Sequence, residues 1–217
     1  EEEINAINIA LEELGNKVGN REIQLIPEDG KCDGKEAATV AQKLVSVDKV
    51  SIILGGLCSS ETLGAAPITE AGKVILFSVF SSSPNITNAG QYVFRTGLSD
   101  NHPDIIGPIM PYLNKYNRLA IISENSDYPA GVKQALKDQL SSTTEIVADE
   151  TFNSGEKDFR TYLTKIKAKN PEALFINVGT SANTPGLIAK QVRELGISVA
   201  LYGNYLFFGV ILLCIGM

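Results

Sequence analysis

Four apolar, β-rich runs begin near Arg118, Glu145, Ala173 and Val199, each separated from the next by about one strand-plus-helix length. No other feature restricts the fold of this chain as strongly. Strands joined by crossovers long enough for a helix pair in parallel, because a tight hairpin can only return antiparallel. Helical patterns fill the gaps: Gly131 to Leu140, Lys157 to Ala168 with Ser154 near its start, and Thr184 to Leu195 ended by Gly196. The spacing predicts a parallel α/β sheet.

The first half repeats the logic. Ile4, Ile7, Leu11 and Leu14 mark one face of an opening helix closed by Gly15, and Ile23 to Ile26 read as a strand. Ala37, Ala38, Ala41, Leu44 and Val45 line a second helix. The run Val50, Ile52, Ile53, Leu54 has the β-branched content of a buried parallel strand, followed by a helix from Glu61 to Gly72 and a strand from Val74 to Phe77. These are doubly wound units. Such a fold opens on a strand, and this chain opens on a helix, which reads as a cut N-terminus. Tyr92 to Thr96 form a further strand, and the polar turn Gly97 to Asn101 precedes a helix starting near Pro103. That segment reads as a crossover between two lobes, and a cleft between α/β lobes takes ligands at the carboxyl ends of the strands.

At 217 residues and 44% hydrophobic composition the chain can bury one sizeable core or two small ones. Its net charge is −6, and no run of Lys or Arg exceeds two, which disfavours nucleic acid and anionic membranes as partners. The opening Glu1-Glu2-Glu3-Ile4 has neither a basic nor an apolar signal region. His102 is the single histidine, and no Cys-x-x-Cys, His-Glu-x-x-His, P-loop or dinucleotide fingerprint occurs. Neither an enzyme, a metal site nor a cofactor is expected.

Chemistry concentrates at Gly55-Gly56-Leu57-Cys58-Ser59-Ser60-Glu61-Thr62, where an apolar strand meets a helix through a hydroxyl-rich turn. Ser59 or Ser60 would cap the helix, and a helix start with free N–H groups can receive a small carboxylate. The same residues serve as an ordinary cap, so the turn alone leaves both readings open. Cys58 lies in it, and Cys32 lies in a loop expected at the same sheet edge. Spacing leaves open whether they are bridged or are two unrelated buried thiols. A bridge would close a loop worth about 3.5 kcal/mol in the chain-entropy model and would imply an oxidising compartment.

Taken together these residues resemble the type I periplasmic binding proteins, specifically the branched-chain amino-acid (leucine/isoleucine/valine) binding family. The resemblance runs from about Ile4 to Asn204: Glu28-Asp29 with Cys32-Asp33, Gly55 to Ser60, Ser78 to Pro84 with Thr87 and Gly90, Phe94-Arg95-Thr96, Tyr128, Gly155 to Phe159, and Tyr202-Gly203. It implies two Rossmann-like doubly wound lobes, here incomplete, with residues 1–97 in the first and 98–204 in the second. It also implies a solute receptor that closes on an aliphatic amino acid or related carboxylate. Delivery would be to the membrane permease of an ABC transporter, in the periplasm or on the outer face of the cell membrane. A ligand-sensing domain of a receptor or regulator sharing the fold is the alternative.

By the resemblance, Ser59 meets the ligand carboxylate, with Leu57 and Cys58 beside it, and Cys32 and Cys58 form the family's disulfide. Phe80, Ser81 and Ser82 correspond to the segment that supplies a carbonyl and a hydroxyl to the ammonium and carboxylate. Phe80 replaces a small residue, so its bulk either narrows the pocket or points elsewhere. Asp100 lies near the first crossover, and Tyr128 matches an aromatic laid against the ligand by the second lobe. These groups suit a zwitterion without a buried cation. The match weakens at Asn177 to Thr180, where the family often has an aromatic contact. It fails after Asn204, where Tyr205 stands in place of an acidic ammonium partner. Residues 205–217 then form an aberrant apolar tail, too short for a confident membrane span.

Overall fold

The computed structural model describes residues 2–179 and 181–204. In order, the elements are helix α1 (Glu2–Glu13), the short strands β1 (Lys17–Val18) and β2 (Arg21–Glu22), α2 (Gly34–Ser46), β3 (Ile52–Leu54), α3 (Ser59–Gly72), β4 (Ile75–Ser78) and β5 (Val93–Arg95). A 3-10 turn at Pro84–Asn88 lies between the last two. There follow the one-turn helices α4 (Pro103–Ile106) and α5 (Met110–Leu113), then β6 (Arg118–Glu124), α6 (Asp127–Gln139), β7 (Glu145–Phe152), α7 (Arg160–Ala168), β8 (Ala173–Asn177), α8 (Thr184–Glu194) and β9 (Ala200–Gly203). Two parallel sheets result, one ordered β3-β4-β5 and the other β7-β6-β8-β9, besides the antiparallel pair β1-β2.

The second sheet unit has the deeper core. Alternate residues of its central strands point to opposite faces, as the strand period of two demands. Ala120, Ile122, Leu174 and Ile176 pack with Phe159, Leu163 and Ile166 of the α7 region and with Ile188 and Val192 of α8. Their neighbours Leu119, Ile121, Ala173 and Phe175 pack with Met110, Leu113, Val132 and Leu136 on the other side. Leu119 through Ile122 are wholly buried. That double burial explains the unbroken apolar runs in the sequence.

The first unit is covered on one face. Ala41 of α2 and Ala65 and Ala66 of α3 pack on Leu76, with Ile53 and Val93 alongside in register. On the opposite face Leu54, Phe77 and Phe94 stand side by side, and Leu54 and Phe94 are 51% and 48% exposed. Two expectations are therefore corrected. The Val50–Leu54 run forms a parallel strand, but an edge strand open on one face rather than a buried one. Ile23–Ile26 form no strand: the hairpin β1-β2 precedes them, and the sheet ends at β3, so they have no ladder neighbour among the described residues. The opening helix is present, yet Ile4 and Leu14 of its apolar face are exposed, while Ile7 and Leu11 are half-buried.

Helix starts also shift. Cys58, not Ser59 or Ser60, caps α3, because Glu61 three positions on reaches back to accept the Cys58 N–H at 3.0 Å. Helix α6 begins at Asp127 rather than Gly131, and α7 at Arg160 rather than Lys157. No helix among the described residues is long and apolar enough to cross a membrane. The tail at 205–217 lies outside the described residues.

Cys32 and Cys58 are joined, with their Cα atoms 5.3 Å apart, inside the usual span of a bridge. The bond ties the loop before α2 to the start of α3 across 26 positions. Reduction is expected to lower stability by about 3.5 kcal/mol. Urea denaturation with and without reductant checks this, and superimposable curves would refute a stabilising bridge.

Candidate ligand site

The strand ends of the first unit are gathered on one carbonyl. Gly56 O accepts from the hydroxyls of Thr62 (3.1 Å), Ser78 (2.8 Å) and Ser81 (2.6 Å). Gly56 itself has φ +73°, and a Cβ there would sit 3.1 Å from the Thr62 backbone, so only glycine lets the turn approach the helix this closely. The Ser81 hydroxyl also contacts Thr62 Oγ1 at 2.8 Å and Leu57 O at 3.2 Å. Ser81 thus spends its side chain inside the unit, holding β3 and β4 ends together.

Ser59 is differently placed. It is buried, and its Oγ accepts the Ser83 N–H at 3.2 Å. A hydroxyl offers one proton and two lone pairs, so accepting from Ser83 leaves the proton for another group. Ser83 O in turn accepts from Arg95 Nη1 at 2.8 Å, and Arg95 Nη2 donates to Thr87 Oγ1 at 2.7 Å. Burial lowers the Arg95 pKa, opposed by the charge of Asp100.

Asp100 follows β5, and its N–H donates to Ser82 O at 2.8 Å. Its side chain is 3% exposed, and burial pushes its carboxyl up to about 6, against the opposing effects of a Ser82 hydrogen bond and the Arg95 charge. Its Oδ2 has no hydrogen-bond partner among the described residues. Ser82 and Asp100 therefore meet, as Ser59 and Ser83 do. Leu57 and Phe80 are 47% and 56% exposed. Cys58 is taken up by the bridge, beside which Glu61 also accepts the Cys32 N–H at 3.1 Å.

The second unit presents the carboxyl ends of β6 and β8. Asn177 Nδ2 donates to Pro129 O at 2.7 Å and Ser123 Oγ at 3.2 Å, while Asn204 Nδ2 donates to Val178 O at 2.7 Å and Asn177 Oδ1 at 3.0 Å. A buried Glu124 accepts the Gly179 N–H at 2.7 Å. This network fixes the first turn of α6, which faces the other unit: Asp127 N–H donates to Ser60 Oγ at 3.3 Å. A Cβ on Gly131 would come within 2.8 Å of Pro84 Cδ and 3.0 Å of Ser83 Oγ. Tyr128 is buried among Ile106, Met110 and Val132 of its own unit. Thr180 and Tyr205 lie outside the described residues.

Between the units lies a cavity of about 490 Å³, lined by Lys31, Asp33 and Ser60 on one side and Glu124, Asn125 and Asp127 on the other. Ser59, Ser82, Asp100 and Tyr128 do not line it. The structure thus links Ser59 to Ser83 and Ser82 to Asp100 through the Ser-rich turn, with Leu57 and Phe80 exposed and Tyr128 buried in the second unit. Sequence reasoning missed Glu61, whose spacing after Cys58 is that of a capping box, and Gly131, for which a single sequence carries no signal.

A profile of the periplasmic binding protein family matches residues 2–212. The chain belongs to that family. It is a family of binding proteins, not enzymes. The Leu/Ile/Val-binding protein of Escherichia coli is 32% identical over 193 residues, which are 87% of this chain and 51% of that protein. Among solved structures, the leucine-binding protein LivK of Thermotoga maritima superposes with a TM-score of 0.78 at 27% identity, covering 91% of this chain and 56% of that one. The branched-chain amino-acid transporter substrate-binding protein LivJ of Streptococcus pneumoniae, solved with isoleucine, gives 0.71 at 28% identity, covering 90% and 56%. The chain spans about half the length of the relatives it matches. The doubly wound parallel α/β fold is therefore that of the type I binding proteins over this half.

Asp100 makes the site sensitive to pH. A carboxyl raised from 3.8 to about 6 on folding adds stability below its unfolded pKa and loses it as pH rises through about 6. Asp100→Asn is accordingly expected to stabilise the protein at pH 8 by up to about 3 kcal/mol, at about 1.4 kcal/mol per unit, and to change little at pH 4. Denaturant titrations at the two pH values measure this, and an equal effect at both would contradict the buried charge.

Proposed function

We propose that this chain is the ligand-holding part of a solute-binding protein that captures a small carboxylate for an ABC transporter. The ligand class we favour is an aliphatic or branched-chain amino acid, and the handover partner is the transporter's membrane permease, on the periplasmic or extracellular side. The two sheet units act as lobes, dividing near Gly97, and the ligand is held where their strands end.

One observation carries the reading: Ser59, at the start of α3, accepts from Ser83 and keeps its own proton to donate. A ligand carboxylate there would receive that hydroxyl together with the backbone N–H groups of the helix start. Asp100 and the oxygens of Ser82 supply the acceptors an ammonium needs, within the same turn. Ser81 contributes by fixing the turn rather than by touching ligand. Ser59 is buried, so entry requires the lobes to part and capture requires them to close. The names of the relatives, which bind leucine, isoleucine or valine, agree with this ligand class.

Ser59→Ala removes one hydrogen bond to a charged group, worth about 1.5–3 kcal/mol, or roughly 10- to 150-fold in affinity. Calorimetry with L-leucine, L-isoleucine and L-valine on the protein carrying this sequence tests it. Affinities unchanged from the parent would remove Ser59 from the site.

A further inference from the structure

We propose that Arg95 is a positioning residue of the ligand turn: it holds Ser83 so that Ser59 keeps its proton for the ligand. This rests on the amino-acid reading above. Ser83 is gripped through both of its backbone groups, its N–H by Ser59 Oγ and its carbonyl by Arg95 Nη1. The second arm of the guanidinium reaches Thr87 Oγ1, so one rigid fork spans the residue before the 3-10 turn and a side chain within it. Pro84 follows Ser83 and has no N–H of its own, which removes one backbone donor that could otherwise secure the turn. If Ser83 moved, the Ser59 oxygen would lose its donor and its proton would be free to turn elsewhere.

The same guanidinium is the one charged group acting on Asp100 among the described residues; the other influences are burial and the Ser82 hydrogen bond. Arg95 is itself partly desolvated, a cost that a purely surface arginine would not bear. Its two hydrogen bonds and the charge of Asp100 offset that cost. Holding Ser83 serves the carboxylate end of a zwitterion through Ser59, and the influence of the charge on Asp100 is a second, separate effect of the same residue. A lysine would keep the charge but present no fork, so the two duties are separable by substitution.

The test compares Arg95→Met, Arg95→Lys and Thr87→Val with the parent, using three readouts: the Asp100 titration followed by carboxyl-carbon NMR, hydrogen exchange at the Ser83 amide, and calorimetry with L-leucine. In Arg95→Met the Asp100 midpoint should rise above about 6, Ser83 exchange should quicken, and L-leucine should bind about tenfold or more weakly, with its pH dependence moved upward. Arg95→Lys should hold the Asp100 midpoint near the parent value while Ser83 exchange still quickens. Thr87→Val, which leaves the charge and the Ser83 contact in place, should loosen Ser83 less. Should Arg95→Met fail to fold, the other two variants carry the decision. Parent-like Asp100 titration and Ser83 exchange in the folded variants would overturn the proposal, as would a uniform loss of stability with leucine affinity intact. A parent protein that ignores L-leucine while both ligand-free readouts shift as expected would overturn the amino-acid reading and support the positioning role.

Discussion

The carbonyl of Gly56 receives the hydroxyls of Thr62, Ser78 and Ser81, and the geometry of the first unit's strand ends depends on that convergence. The apolar core beneath is thin, built from alanines of α2 and α3 against Leu76. Burying small side chains yields little, since hydrophobic stabilisation scales with area removed from water. Polar ties take up the remaining work of definition. The Cys32–Cys58 bridge, and Glu61 accepting the N–H of both cysteines, fasten the loop before α2 to the start of α3. A buried hydrogen-bond set of this kind specifies one arrangement, because any slip leaves a desolvated hydroxyl or carbonyl without a partner.

The second unit solves the same problem with apolar volume. Phe152 and Phe159 meet edge to face with ring centres 4.9 Å apart, and β6 and β8 are covered on both faces. This difference explains what could be read from the sequence. The runs at Arg118 and Ala173 came out as β6 and β8 because strands buried on both sides must be continuously apolar, and those at Glu145 and Val199 pair with them as the edge strands β7 and β9. Val50 to Leu54 has the same composition and the opposite setting, since apolar content records what a strand can bury, not what covers it. Ile23 to Ile26 fail for a related reason: strand propensity is realised only where a ladder neighbour exists.

The candidate site was legible in part, as an arrangement of residues. Hydroxyls at a strand-to-helix turn are visible as residue types, and the structure does place Ser59, Ser82 and Asp100 around one turn. Which hydroxyl is spent internally is not visible, because Ser81 and Ser82 are identical in composition and differ only in which way the turn aims them. Residues that act by closeness leave no trace either. Gly131 matters because Ser83 and Pro84 of the other unit approach it, a contact made by groups about 47 positions away in the chain.

Electrostatics connects the two ends of this arrangement. A protein of net charge −6 gains nothing from burying another carboxylate, and burial, opposed by the Ser82 hydrogen bond and the Arg95 charge, still leaves the Asp100 carboxyl at about 6. That cost persists in the unliganded protein at neutral pH, where the group is mostly ionised and Oδ2 has no partner. A cationic group brought to it would recover the lost interaction and draw the pKa down, so the free energy spent on folding becomes differential affinity for a ligand with a positive end. Neutral donors at Ser59 and the α3 start ask for a negative end in the same turn. On the amino-acid reading proposed above, selectivity for a zwitterion would follow from where each sign is desolvated.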